Sequence, residues 1–134
     1  LLFKEIPILI EANNKNTLLK IENLAKLLSK KVRKMDSKKR LICHLSATVA
    51  NNFSNHMIVI AEKILDKNKI NKDLIKPLIF ETFNKLNIMS ASDAQTGPAL
   101  RNDQITIDKH IKHLSEKDFL NLYKLITKSI SSEL

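Results

Sequence analysis

The chain has 134 residues, 43% apolar side chains and a formal net charge of +9, enough length to bury one core. Its most apolar window, residues 41–65, is interrupted by two His, three Asn, Thr and Ser, which excludes a transmembrane span. The single cysteine, Cys43, excludes an internal disulfide framework and fits a reducing compartment.

Residues 1–10 contain Lys4, Glu5 and Pro7 and lack a secretory pattern, so a soluble cytoplasmic protein is expected. The first residue is Leu1, which fits a processed chain or a piece of a longer one. Residues 20–40 hold nine Lys or Arg against two acids, the composition of a phosphate-binding patch. No aromatic residue is interleaved for base stacking, and Lys, Asn and Ile are abundant throughout, so no nucleic-acid partner is expected. Five Phe, one Tyr and no Trp imply an aliphatic core.

Ile6-Pro7-Ile8-Leu9-Ile10-Glu11 is a short apolar run rich in isoleucine, the pattern of a buried strand. Leu18, Ile21, Leu24, Ala25 and Leu28 then recur at helical spacing and predict an amphipathic helix over 17–30. Val32 to Met35 reads as a second strand, which makes a βαβ unit with parallel strands. Two strands do not form a stable parallel sheet alone, so the unit resembles the end of a larger one. Asp36 or Ser37 is placed to cap a long helix over 38–67. Asn71 or Asp73 is placed to cap the next, running to about Met89, with Pro77 in its first turn. Asp103 starts a helix carrying Ile107, Ile111 and Leu114. Ser115-Glu116-Lys117-Asp118 has the form of a capping box before a last helix bearing Phe119, Leu122, Tyr123, Ile126 and Ile130.

Two features carry chemistry. The chain's only glycine lies in Gln95-Thr96-Gly97-Pro98-Ala99-Leu100-Arg101-Asn102-Asp103. Glycine admits positive φ and proline fixes the following φ, so this loop is either a tight interhelix connector or a device that presents a hydroxyl, an amide and a guanidinium. For Arg101 the alternative to an anion contact is an ion pair with Asp103 at the helix start. The second feature is a polar stripe on the long helix. At about 100° per residue, His44, Thr48, Asn51 and Asn55 fall within about 60° of one another, with Asn52 and His56 beside them. Leu45, Val49, Phe53, Met57, Ile60 and Ile64 occupy much of the remaining circumference and predict a helix buried on most sides. Polar groups on such a helix either cross-link neighbouring helices or line a wet cleft. Cys43 in the same stretch reads as a buried, inert thiol.

His110 and His113, one turn apart with Lys109 and Lys112 next to them, read as a solvated face, and no metal is expected. The scattered acids offer no carboxylate pair for acid–base work. With one glycine the chain cannot build a dinucleotide-binding turn.

Taken together, three segments resemble a known family. Ile6 to Asn13 is similar to the last strand of a Rossmann domain. Arg40-Leu41-Ile42-Cys43-His44-Leu45-Ser46-Ala47, continuing to Asn51-Asn52-Phe53-Ser54-Asn55-His56, resembles the long helix of a particular helical domain. Ala94 to Asp103, with Thr106 and His110, resembles that domain's signature loop. The family is the Rossmann-like NAD(P)-dependent oxidoreductases that end in a helical domain of unassigned function. They are distantly similar to pyrroline-5-carboxylate reductase, ketopantoate reductase and the 6-phosphogluconate dehydrogenase C-terminal fold. The glycine-rich, cofactor-binding half of that family has no counterpart in this sequence.

The resemblance implies a mainly α fold. A βαβ remnant over 1–36 precedes an all-helical substrate and dimerisation domain over 37–134. It implies NAD or NADP in the intact protein, none bound by this stretch alone, and a homodimer. Hydride would pass to or from a small carbonyl or imine compound, with this stretch inactive by itself. His44, Asn51 and Asn55 become candidate catalytic groups, His44 as proton donor. Thr48, Thr96, Gly97 and Arg101 become candidate substrate contacts. The alternative is a helical dimer scaffold or binding module without chemistry.

Overall fold

A computed structural model describes residues 3–132. The chain divides into two compact units, Leu1–Ile58 and Val59–Leu134.

The first unit opens with a 3-10 turn, Phe3–Glu5. Strand β1 (Ile8–Ile10), helix α1 (Lys15–Leu28) and strand β2 (Val32–Lys34) follow. The strands pair in parallel with Ile8 opposite Val32 and Ile10 opposite Lys34, so the expected βαβ unit is present. Local chemistry sets its corners. Asn14 caps α1 by accepting from the Thr17 N–H at 2.8 Å. Ser29 ends it, and its buried hydroxyl donates to the Ile6 carbonyl at 2.5 Å and accepts from the Lys31 N–H at 3.0 Å. One side chain thus ties the start of the chain to the entry of β2. Ile10, Ala25 and Ser29 are buried among the described residues of this unit.

The basic segment is largely compensated. Glu22 holds Lys26 at 2.8 Å and Lys34 at 2.7 Å, Glu5 faces Lys30 and Lys31, Asp36 faces Lys39, and Glu11 holds Arg40 at 2.9 Å. Hydrogen bonds from the two lysines lower the Glu22 carboxyl from its ordinary 4.5 to about 2.

Asp36 caps α2 (Ser37–Ala47), accepting from the Lys39 N–H at 2.8 Å. The helix continues through a π-helical segment, Thr48–Phe53, into α3 (Ser54–Lys67), and the unit boundary falls inside α3. Burial on most sides does not hold. Leu41, Leu45, Val49 and Phe53 are each more than half exposed, and Cys43 is exposed, its thiol 3.5 Å from the Met35 sulfur. The apolar residues that sequence periodicity assigns to a core stay largely exposed in this part of the chain.

In the second unit α3 ends in a turn through Lys69 at φ 56°, where the Ile70 N–H reaches the Leu65 carbonyl. Asn71 caps a 3-10 turn, Lys72–Ile75, that leads into α4 (Lys76–Lys85) with Pro77 in its first turn. Helix α4 stops at Lys85, short of the expected Met89, and loosens into turns through Ile88. Helices α5 (Gln104–His113) and α6 (Lys117–Ser131) complete the chain. The capping box at Ser115 does not form: Glu116 occupies the cap position without a side-chain bond, and the Ser115 hydroxyl accepts from Lys67 Nζ at 2.6 Å. Ile60, Ala99 and Ile107 are buried.

Candidate functional site

The Gly97–Pro98 loop is held by its own backbone. The Arg101 N–H donates to the Gly97 carbonyl at 3.4 Å, and the Asp103 N–H to the Pro98 carbonyl at 2.9 Å. Ala99 is buried, and its carbonyl accepts from Ser131 Oγ of α6 at 3.2 Å. Asp103 then caps α5 twice, taking the Thr106 N–H at 3.0 Å and the Thr106 hydroxyl at 2.7 Å. Those two Thr106 bonds hold its carboxyl below the usual carboxylate range.

Gly97 sits at φ +114°, with nothing within 4 Å of where a Cβ would stand. Backbone conformation alone, and not space, therefore demands glycine there. Three groups on this rigid loop have no partner among the described residues: the Thr96 hydroxyl, the Gly97 N–H and the Arg101 guanidinium. The Arg101–Asp103 ion pair is absent from the described residues, and Asp103 is instead spent on the helix start. Arg101 and Thr96 are exposed.

The polar stripe belongs to the first unit. His44, Asn51 and Asn55 are exposed and Thr48 is half-buried. The Thr48 hydroxyl donates to the His44 carbonyl at 3.0 Å, and Asn51 Nδ2 donates to Asn52 Oδ1 at 3.3 Å. His44 and Asn55 side chains make no hydrogen bond among the described residues. The Thr48 and Asn51 bonds both stay within the helix itself.

The π segment changes their phase. Each residue it adds to a turn sets the following residues back by about 100°. His44 and Thr48 stay together, Asn51 and Asn55 stay together, and the second pair turns by roughly a quarter-circle from the first. Asn52 and His56 move toward the line of His44 and Thr48. The same shift keeps Leu41, Leu45, Val49, Phe53 and Met57 on one continuous apolar strip.

Other expected sites resolve simply. His110 Nδ1 lies 2.8 Å from the Tyr123 hydroxyl, and His113 Nδ1 lies 2.8 Å from the Lys109 carbonyl. No metal-binding cluster of His, Cys, Asp or Glu occurs among the described residues. None of their helices is long and apolar enough to cross a membrane.

Two hollows lie within single units. One, of about 470 Å³, opens where β1 and β2 end and includes Glu11, Lys34, Met35 and Asp36. Its Glu11 is already engaged by Ser37 at 2.6 Å and by Arg40. The other, of about 290 Å³, lies beside α5 and α6 and was not legible as a site in the sequence. Its only sequence signal is Lys124 and Lys128, one turn apart.

A dinucleotide does not fit the strand–helix turn present. The link from β1 to α1 is Glu11-Ala12-Asn13-Asn14, with no glycine and with a carboxylate where a pyrophosphate would need amides. The α1 start is already capped by Asn14.

A parallel strand pair with a helical continuation gives the class: a mainly helical fold with one short βαβ unit. Residues 6–130 match the domain of unknown function DUF2520, and the chain belongs to that family. The structure is similar to that of a Bacteroides fragilis protein provisionally described as an NADP oxidoreductase. The TM-score is 0.95 at 37% identity, over 98% of this chain and 51% of that one. It also shares its fold with a Thermotoga maritima protein, with a TM-score of 0.71 at 21% identity, over 89% of this chain and 49% of that one. The chain thus spans about half the length of these two proteins. No curated protein sequence matches it.

Proposed function

We infer that this chain is the substrate-side and dimerising part of an oxidoreductase that uses NADP, acting on a small carbonyl or imine compound. The likeness to a protein described as an NADP oxidoreductase, over 98% of this chain, carries the reading. The nucleotide site belongs to the half that this stretch does not contain, since the β1–α1 turn cannot hold it. By itself the chain is inactive.

The roles of its own residues follow from what they leave uncommitted. The Gly97 N–H, Thr96 hydroxyl and Arg101 guanidinium suit a substrate oxygen or carboxylate, because charge-assisted bonds to a planar fork are strong and directional. The His44 imidazole makes no hydrogen bond among the described residues, and its ring nitrogens can donate or accept. Asn51 and Asn55 are exposed amides that donate and accept. Thr48 keeps its lone pairs available while its proton serves the helix.

Self-association is supported by charge and polarity. Residues 41–61 contain no Lys, Arg, Asp or Glu, in a chain that is 28% charged and carries +9. Two copies of so basic a chain repel, except where each presents a neutral surface to the other. The strip Leu41, Leu45, Val49, Phe53 and Met57 lies in that window and is exposed. A patch this apolar on a water-soluble chain marks an interaction surface.

The test is a turnover screen of the full-length protein with NADPH and small carbonyl and imine compounds, repeated for Arg101→Ala. The reading expects NADPH oxidation with a raised KM in the variant. A full-length protein that binds no nicotinamide cofactor supports the scaffold alternative instead.

A further inference from the structure

We propose that the hollow beside α5 and α6 binds a small organic phosphate monoester, a site apart from the stripe that takes only Asn102 from the loop and is independent of the oxidoreductase reading. The cavity measures about 290 Å³, the size of a small metabolite pocket. Its lining divides by whether each polar group already has a partner.

Three groups are committed. Tyr123 is held by His110, the Gln104 amide donates to Asp108 at 2.8 Å, and the Ser131 hydroxyl is directed at the Ala99 and Thr127 carbonyls. Four are not. Lys124 and Lys128 form no ion pair among the described residues, and the Thr127 hydroxyl and the Asn102 side chain make no hydrogen bond there. The free groups are two ammonium ions, one amide and one hydroxyl, all able to donate. Nine lysines and Arg40 form ion pairs among the described residues; Lys124 and Lys128 are among the lysines that do not, and both line this one cavity.

Asn102 is one of two non-glycine residues at positive φ among the described residues, at 53°. That backbone is held by the turn of Asn102 N–H to the Ala99 carbonyl and Gln104 N–H to the Asn102 carbonyl, which fixes the residue at the cavity rim. Ile107 and Ile111 supply an apolar wall. Two lysines one helical turn apart match a dianion in charge, and the apolar wall favours a ligand with a hydrocarbon body over a bare ion.

Isothermal titration calorimetry with phenyl phosphate and with inorganic phosphate, at fixed ionic strength, tests this. The chain should bind phenyl phosphate saturably and several-fold more tightly than inorganic phosphate. Lys124→Ala with Lys128→Ala should weaken binding at least about tenfold, the scale of a lost charge-assisted bond. Lys109→Ala with Lys112→Ala removes the same charge elsewhere and should leave binding unchanged. Thermal melts by circular dichroism establish that both variants are folded. Equal weakening by the two double variants overturns the site, as does equal affinity for the two phosphates or the absence of saturable binding.

Discussion

Gly97→Ala isolates backbone conformation from every other effect at the loop. The glycine has φ +114°, outside the small left-handed region near +57° that Asn and Asp tolerate. A methyl group there would meet no atom within 4 Å, so collision contributes nothing to the cost. What remains is the strain of an L-residue in a glycine-only region, about 1–3 kcal/mol. That strain opposes the bonds that close the loop: Arg101 N–H to Gly97, Asp103 N–H to Pro98, and Ser131 to Ala99. The loss should therefore appear first as faster amide exchange at Arg101 and Asp103, then as a lower melting temperature. Gly97→Asn should cost about as much as alanine, because the angle lies beyond the region asparagine favours. Hydrogen exchange and thermal denaturation measure both. An alanine variant that exchanges and melts like the parent refutes the claim that this loop needs glycine for its angle.

Acidification should weaken the βαβ unit through Glu22. Its folded-state pKa of about 2 lies below the ordinary 4.5, so its contribution is complete above 4.5 and is lost as pH falls toward 2. NMR titration of the carboxyl should give that low midpoint, and Glu22→Gln should flatten the fall in stability over the same window. Val49→Lys places a charge in the neutral window and should convert a dimer to a monomer in sedimentation, with a parent that sediments as a monomer counting against the surface. Tyr123→Phe removes the bond to His110 and should cost about 0.5–1.5 kcal/mol in denaturant unfolding, with no change meaning the pair carries nothing.

The elements most legible in the sequence were those whose cause is local. The Asp36 and Asp103 caps lie within a few residues of what they stabilise and form as the pattern implies, while the isoleucine run yields a three-residue strand of which only Ile10 is buried. Features decided at a distance were not legible. Ser115-Glu116 has the composition of a capping box, but Lys67, far away in sequence, takes the serine hydroxyl. Apolar periodicity on α2 announces a face that excludes water without saying what covers it, and here Leu41 and Leu45 stay more than half exposed. The π segment leaves no signature in residue type, yet it alters which polar side chains share a line. The loop was readable because a lone glycine before proline has few uses. The α5–α6 cavity was not, because its walls come from residues 102 to 131, which only the folded chain brings together.

The central claim is that the exposed polar groups of the long helix serve turnover and not the fold. Asn55→Leu in the full-length protein tests it most directly, with thermal unfolding and NADPH-dependent turnover measured on the same samples. Because Asn55 is exposed and unbonded, unfolding should shift by no more than about 0.5 kcal/mol while the rate falls at least about tenfold. A variant that keeps its full rate, or loses stability and rate in equal measure, contradicts the account.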